Sequence, residues 1–411
     1  MPDAPKVCRR WFRFRLRTLL LAWMGFAVWL GWWIHSAREQ RDAIANITRL
    51  TSSWTSQPAA IDYSYQRRDN DPLSWRPRND PTAISWVPAF VFKRTGPDYF
   101  HNVVSVIVLR GTSGKELELA DELVRIRNLE QLVLVYVDAT DAMVARLCAL
   151  RKLTGLELGG ELTDDSLRMI NDLPRLQLLD IGGDFTDAGL AHVERLAKLK
   201  RLDFDASDIS DQGLAHIGRL HELQSLSLSS SHFSDRGFAK LATCPKLSYL
   251  SLRHSEISDN DLRGIASLIS LETLDLTGAW INDAGVEHLS RLTNLRRLRL
   301  TNTRVTDDAM PHLVKLSKLQ EISLDGTQVS DKAISFLVQL PNLREIDLDY
   351  TGVTVTGFEQ FKAAPQLREL RVPRHEDGLL FGLLPLGERS GLTSADMNRL
   401  QKALPQCKIT Y

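Results

Sequence analysis

The side chains able to do chemistry in this chain are histidines, cysteines, one glycine-rich turn and charged residues at a regular spacing. His192, His216, His288 and His312 share one position in successive segments, an arrangement that would stack imidazoles. Zinc holds nitrogen ligands at ~2 Å, and neighbouring helices lie roughly 10 Å apart, so a solvated position is expected there instead of a metal centre. Gly111-Thr112-Ser113-Gly114-Lys115-Glu116 resembles a phosphate loop, but it is two residues short, and Glu116 stands where a Mg²⁺-binding hydroxyl belongs. A surface turn is the expectation. Cys8, Cys148, Cys244 and Cys407 form no C-x-x-C pair. Cys244 replaces the leucine of equivalent positions Leu220, Leu268 and Leu292, which points to a buried thiol acting as a small apolar group. Serine and aspartate recur too often for any Ser-His-Asp set to be singled out. No catalytic, cofactor-binding or metal-binding residue is expected, and no enzyme.

The elements that must position these residues follow from a repeat. L-x-x-L-x-L recurs from Leu129/Leu132/Leu134 through Leu271/Leu274/Leu276 to Leu367/Leu370/Val372, in steps of 24 residues with two of 23. That pattern is the signature of leucine-rich repeats, one strand and one helix per unit. Alternation turns the leucines inward and the residues between them outward. A Ser or Thr follows (Ser207, Ser231, Ser255, Thr303, Thr327, Thr351), whose hydroxyl would bond the turn. Val137 and Ala279 break that series. Ser/Thr-Asp pairs such as Thr186-Asp187, Ser258-Asp259 and Thr306-Asp307 then predict helix N-caps with a carboxylate in the first turn. No unit buries its apolar side alone, so the fold class is an α/β solenoid: a curved horseshoe with a parallel inner sheet and outer helices over residues 97–372, about 11–12 repeats. Residues 373–411 read as a loop and cap, with a helix from Thr393 to Ala403 and a final strand at Cys407–Tyr411.

From Thr18 to Ala37 no residue carries a formal charge. About 20 helical residues span ~30 Å, the thickness of a bilayer's hydrocarbon layer. Lys6, Arg9, Arg10, Arg13, Arg15 and Arg17 precede the run, while Arg38 and Arg41 after it are offset by Glu39 and Asp42. This bias keeps residues 1–17 in the cytoplasm and exports the rest as a single-pass protein of the cytoplasmic membrane. Trp32-Trp33-Ile34-His35 offers no small residues for signal cleavage. Residues 38–96 read as a juxtamembrane stalk, irregular from about Thr51 onward, where Pro58, Pro72, Pro77, Pro81 and Pro88 interrupt any period.

Arg13-Phe14-Arg15-Leu16-Arg17-Thr18-Leu19-Leu20, Gly96-Pro97-Asp98-Tyr99-Phe100 and repeats like Val305-Thr306-Asp307 resemble the leucine-rich-repeat membrane proteins of planctomycete bacteria. The resemblance implies a membrane-anchored interaction module and names no ligand. Lys+Arg and Asp+Glu both number 51, so global charge points to no nucleic acid partner. The expected partners are the lipid bilayer and another protein. Its surface would be the outward residues of the inner sheet: Tyr249, Arg253, Arg297, Arg299, Asp325, Asp347, Asp349 and Tyr350. Acidic residues (Glu157, Asp180, Asp203, Asp205) precede that basic spot and others (Glu321, Glu345) follow it. Arg297 and Arg299 have a second reading in which they pair with Glu321 and Asp275 one strand away. The alternative function is a self-assembling envelope protein with no separate ligand; a hydrolase is the remote one.

Overall fold

A computed structural model of the chain describes residues 16–51, 60–63, 103–108, 114–205, 209–229, 233–373 and 392–410, without the side chains of 16–22 and 60–63. Ser207, Ser231 and the loop 374–391 lie outside the described residues. Within them, one 14-stranded sheet follows the order of the chain. Its strands are β1 (Ala60–Tyr63), β2 (Val103–Val108), β3 (Gln131–Thr140), β4 (Gly155–Thr163), β5 (Leu178–Asp184), β6 (Arg201–Asp205) and β7 (Ser225–Ser229). They continue as β8 (Tyr249–Ser251), β9 (Thr273–Asp275), β10 (Arg297–Arg299), β11 (Glu321–Ser323), β12 (Glu345–Asp347), β13 (Glu369–Arg371) and β14 (Lys408–Thr410). β1 is antiparallel to β2, and the remaining 13 strands are parallel.

Register follows the leucine pattern. Leu226, Leu250, Leu274, Leu298, Ile322, Ile346 and Leu370 pair strand to strand, and none is more than 3% exposed. Each such side chain contributes about 1.5–3 kcal/mol by leaving water, but only because a neighbouring repeat covers it. The small polar residue after the strand closes its turn: Thr303 Oγ1 donates to the Leu300 carbonyl at 2.7 Å and Thr351 Oγ1 to that of Leu348 at 2.7 Å. Val137 and Ala279 occupy this place buried and unbonded through their side chains.

Helices begin where the Ser/Thr-Asp pairs stand. Thr186 caps Asp187–Val193 by accepting from Ala188 N, and Ser330 caps Asp331–Leu337 by accepting from Lys332 N. The aspartate does more than meet the helix dipole. Its carboxylate reaches into the next repeat and takes both the N–H and the hydroxyl of the cap residue there. Asp187 accepts from Ser210 N at 2.9 Å, Ser210 Oγ at 2.5 Å and Gly213 N at 2.8 Å. Asp164 holds Thr186, Asp211 holds Ser234, Asp283 holds Thr306, Asp307 holds Ser330 and Asp331 holds Thr354 in the same two-bond manner. This clasp fixes each turn to its successor with charge-assisted bonds.

One joint differs. Ser258 bonds Asp261 through both its N–H, at 2.9 Å, and its hydroxyl, at 2.5 Å. The following helix, Leu262–Ile265, has only four residues and no side-chain cap. The expected cap at Ser258-Asp259 is therefore corrected. Asp261 stands three residues after Ser258, where other repeats place Gly213 or Gly237, and its own carboxylate takes the partner that Asp235 would have clasped.

The first helix, α1, runs from Leu16 to Thr51. Among the described residues, no helix is long and apolar enough to cross a membrane. The part of the 18–37 run with described side chains, Trp23 to Ala37, would rise only ~22 Å. Beyond it the helix does not give way to a stalk at residue 38. Ala43, Ile47 and Leu50 recur at helical spacing and are 0%, 0% and 7% exposed. Asn46 Nδ2 donates to Glu122 Oε1 at 3.0 Å, on the helix α2 (Glu116–Val124), and Val103 N donates to Gln40 Oε1 at 3.3 Å. Residues 38–51 thus cover the open edge of the first repeat, and β1 adds a strand there. Both correct the expected boundary, because a solenoid's terminal unit needs its apolar side closed. At the other end, Thr393 and Asp396 form a capping box for Ser394–Ala403, and β14 pairs with β13.

Candidate functional site

Along the inner sheet, the first and third residues of each short strand face outward and align across strands. The first column reads Tyr249, Thr273, Arg297, Glu321, Glu345, Glu369, Lys408, and the third reads Ser251, Asp275, Arg299, Ser323, Asp347, Arg371, Thr410. Cross-strand neighbours of opposite charge meet as a direct result. Arg297 Nε lies 2.7 Å from Glu321 Oε1, Arg371 donates to Asp347 Oδ2 at 3.2 Å, and Lys408 Nζ donates to Glu369 Oε1 at 3.2 Å. A groove of about 150 Å³ runs over β10 to β13 between these pairs. The second reading of the arginines, as partners of Glu321 and Asp275, is what the geometry places.

Asp275 stands out. It is a carboxylate at 0% exposure, buried together with Ser251 before it in the column and with Thr277. Thr277 N donates to its Oδ1 at 3.0 Å and Thr277 Oγ1 at 2.6 Å, while Arg299 donates to Oδ2 at 3.3 Å. Arg253 Nε approaches the same Oδ2 to 3.9 Å. The structure therefore brings Arg253 and Arg299 to one carboxylate, with Tyr249 one repeat before Thr273 in the first column. In the sequence Asp275 is one strand acid among many. The signal was its place at a strand's third residue with arginines in both flanking repeats.

Asp325, Asp349 and Tyr350 sit in the turns that leave β11 and β12. Asp349 Oδ1 accepts from Tyr350 N at 2.9 Å. Tyr350 adopts a left-handed φ of 46° and is 56% exposed, a costly conformation for a bulky residue. His254, Gly278, Asn302 and Gly326 hold the same left-handed position in the preceding repeats. A Cβ on Gly326 would meet Asn302 Oδ1, the end of a side chain that can turn aside.

The earlier acidic stretch forms its own patch. Glu157, Asp180 and Asp203 are register partners on β4, β5 and β6, and Arg201 binds Asp203 through Nε at 2.8 Å. Burial, reinforced by the neighbouring charges of Asp203 and Glu157, pushes the Asp180 carboxyl up to about 7. Burial also raises Glu157. In the unfolded chain Asp180 returns to 3.8, so the folded state binds the extra proton between pH 4 and 7. Stability from this site is present at low pH and falls as pH rises through that window. Asp180→Asn is expected to raise stability by about 1–2 kcal/mol at pH 8, after discount for solvent screening, and to make no difference near pH 4. Urea melts at both pH values check this; a benefit independent of pH would sink it.

Cys148, Cys244 and Cys407 are buried free thiols, each pushed up to about 11 by burial. His216 Nδ1 sits 3.1 Å from Glu194 Oε2, and Arg263 Nε lies 3.4 Å from His288 Nε2. Among the described residues, no group of His, Cys, Asp or Glu is placed to hold a metal ion. Gly114 N donates to Glu116 Oε1 at 2.9 Å, so this N–H already serves a carboxylate; residues 111–113 lie outside the described residues.

A search of curated proteins returns no match. Among solved structures, the chain is similar to an internalin (inlF) from Listeria monocytogenes, at 19% identity and a TM-score of 0.42, over 65% of this chain and 86% of that one. It is also similar to an LRR protein of Leptospira interrogans, at 15% and 0.43, over 71% and 80%. A third is TLR13 in complex with a single-stranded RNA, at 22% and 0.47, over 63% of this chain and 38% of that one. None of these carries a ligand across to this chain. Residues 267–290 match the family model described as Leucine Rich repeat, and since they make up one turn of a solenoid that repeats the same register, the chain is built of leucine-rich repeats.

Proposed function

We propose that the chain is a membrane-anchored binding protein, with no catalytic role, that presents the concave sheet to another protein outside the cytoplasmic membrane. The observation that carries the anchor is the division of α1. Its later half is buried against the first repeat, while Trp23 (68%), Phe26 (53%), Val28 (72%) and Trp32 (57%) of its earlier half are exposed. Apolar surface of that kind has no cover among the described residues and calls for one. The uncharged run begins at Thr18, and with the side chains of 18–22 included it reaches the length of a bilayer core. Basic residues before it orient the amino terminus toward the cytoplasm. Bacterial origin rests on the resemblance alone. The binding half of the reading is supported by the open inner sheet, whose outward side chains are charged and aromatic.

Three measurements test it. The full chain is expected to stay in the membrane fraction after alkaline carbonate, and a carboxyl-terminal reporter active only in the periplasm is expected to work. Release by carbonate rejects the anchor. A photocrosslinking residue in place of Tyr249 is expected to capture a distinct protein in intact cells. Capture of the chain's own copies alone would favour the self-assembling alternative.

A further inference from the structure

We propose that Arg253 and Arg299, held by the buried Asp275, form a site for a single carboxylate presented by the protein partner. This rests on the concave face being the recognition surface. Two guanidinium groups approach the same Asp275 Oδ2, at 3.9 Å and 3.3 Å. The carboxylate is wholly buried, whereas the arginine side chains are 55% and 50% exposed. Among the described residues, one negative charge thus serves two positive ones. A guanidinium has five N–H donors in a fixed fork, so each arginine keeps donors directed away from Asp275.

The role of Asp275 is positioning. Thr277 occupies its Oδ1 twice, which leaves Oδ2 as the oxygen facing the arginines. Placed this way, the two forks lose little freedom when a planar oxyanion bridges them, the arrangement in which arginine binds carboxylates best. The neighbouring Arg297 adds no surplus charge, because Glu321 lies against it at 2.7 Å. One uncompensated positive charge fits a monoanion. A phosphate dianion would leave one negative charge uncompensated between the two arginines, whereas a monoanion leaves none. A glutamate or aspartate side chain, or a chain terminus, is the occupant these charges select.

The probe is an acetylated, amidated pentapeptide, Gly-Gly-Glu-Gly-Gly, with its glutamine counterpart and inorganic phosphate as the other arms. Titrated calorimetrically into the full chain in detergent, the glutamate peptide is expected to bind at low salt and the glutamine peptide not to. Arg253→Gln and Arg299→Gln are each expected to weaken binding at least tenfold. Arg371→Gln, which removes a different ion-paired arginine of the same face, is expected to leave it unchanged. Equal affinity in wild type and both site variants overturns the assignment, as does tighter binding of phosphate than of the glutamate peptide, or no binding of the glutamate peptide at all. The crosslink at Tyr249 separates the two levels. Partner capture that persists unchanged in Arg299→Gln rejects this site and keeps the concave face, whereas no capture in wild type rejects the face.

Discussion

Asp187→Ala is expected to lower the unfolding free energy by about 2 kcal/mol, and Asp235→Ala by no more than about 0.5 kcal/mol. Both aspartates open a helix in the first turn, so the dipole contribution is shared. The difference lies in the next repeat. Asp187 satisfies Ser210 N, Ser210 Oγ and Gly213 N, and alanine leaves all three donors to find water. Ser258, the residue Asp235 would clasp, is bonded by Asp261 instead. Urea melts of the two variants side by side provide the measurement. Equal losses would reduce the clasp to ordinary capping. Because a solenoid is stabilised by nearest-neighbour interfaces, the loss at Asp187 is also expected to appear as faster amide exchange in the flanking repeats.

The second large effect concerns α1. Ile47 is fully buried, and Ile47→Ala is expected to cost about 3 kcal/mol, the usual loss for deleting a buried aliphatic side chain. Asp42→Ala, on an exposed turn of the same helix, is expected to stay within about 0.5 kcal/mol. Limited proteolysis of the full chain in detergent gives an independent reading, with the first repeat cut sooner in Ile47→Ala. Were residues 38–51 a stalk, the two substitutions would be indistinguishable. The result also decides how the solenoid meets the anchor, since one continuous helix docked through Ala43, Ile47 and Leu50 transmits orientation where a loose linker would not.

Most of the repeat was legible because its rule is local. Leucines at fixed spacing must share one buried side, and Ser/Thr before Asp is a capping signal wherever a helix starts. The clasp was hidden because it joins residues about 23 positions apart, and neither member looks different from an ordinary capping pair. Ser258 shows the same limit. Its neighbour Asp259 satisfied the local rule, yet the carboxylate that bonds it comes from Asp261. In residues 38–51, Arg38, Glu39, Arg41 and Asp42 mask the apolar stripe of Ala43, Ile47 and Leu50, which only the first repeat's open edge makes meaningful.

The chain's order of residues was enough to determine a stack of strand-and-helix turns, their inward leucines and the outward position of Tyr249, Arg253, Arg297 and Arg299. What each outward charge faces was decided only by tertiary structure. Asp275, Asp325 and Asp347 are alike as strand or turn acids, but one lies wholly buried beneath two arginines because its neighbours in adjacent repeats, 22 and 24 residues away, converge on it. Charge pairing across parallel strands depends on register and on the reach of side chains between repeats, and neither quantity is local to any one repeat.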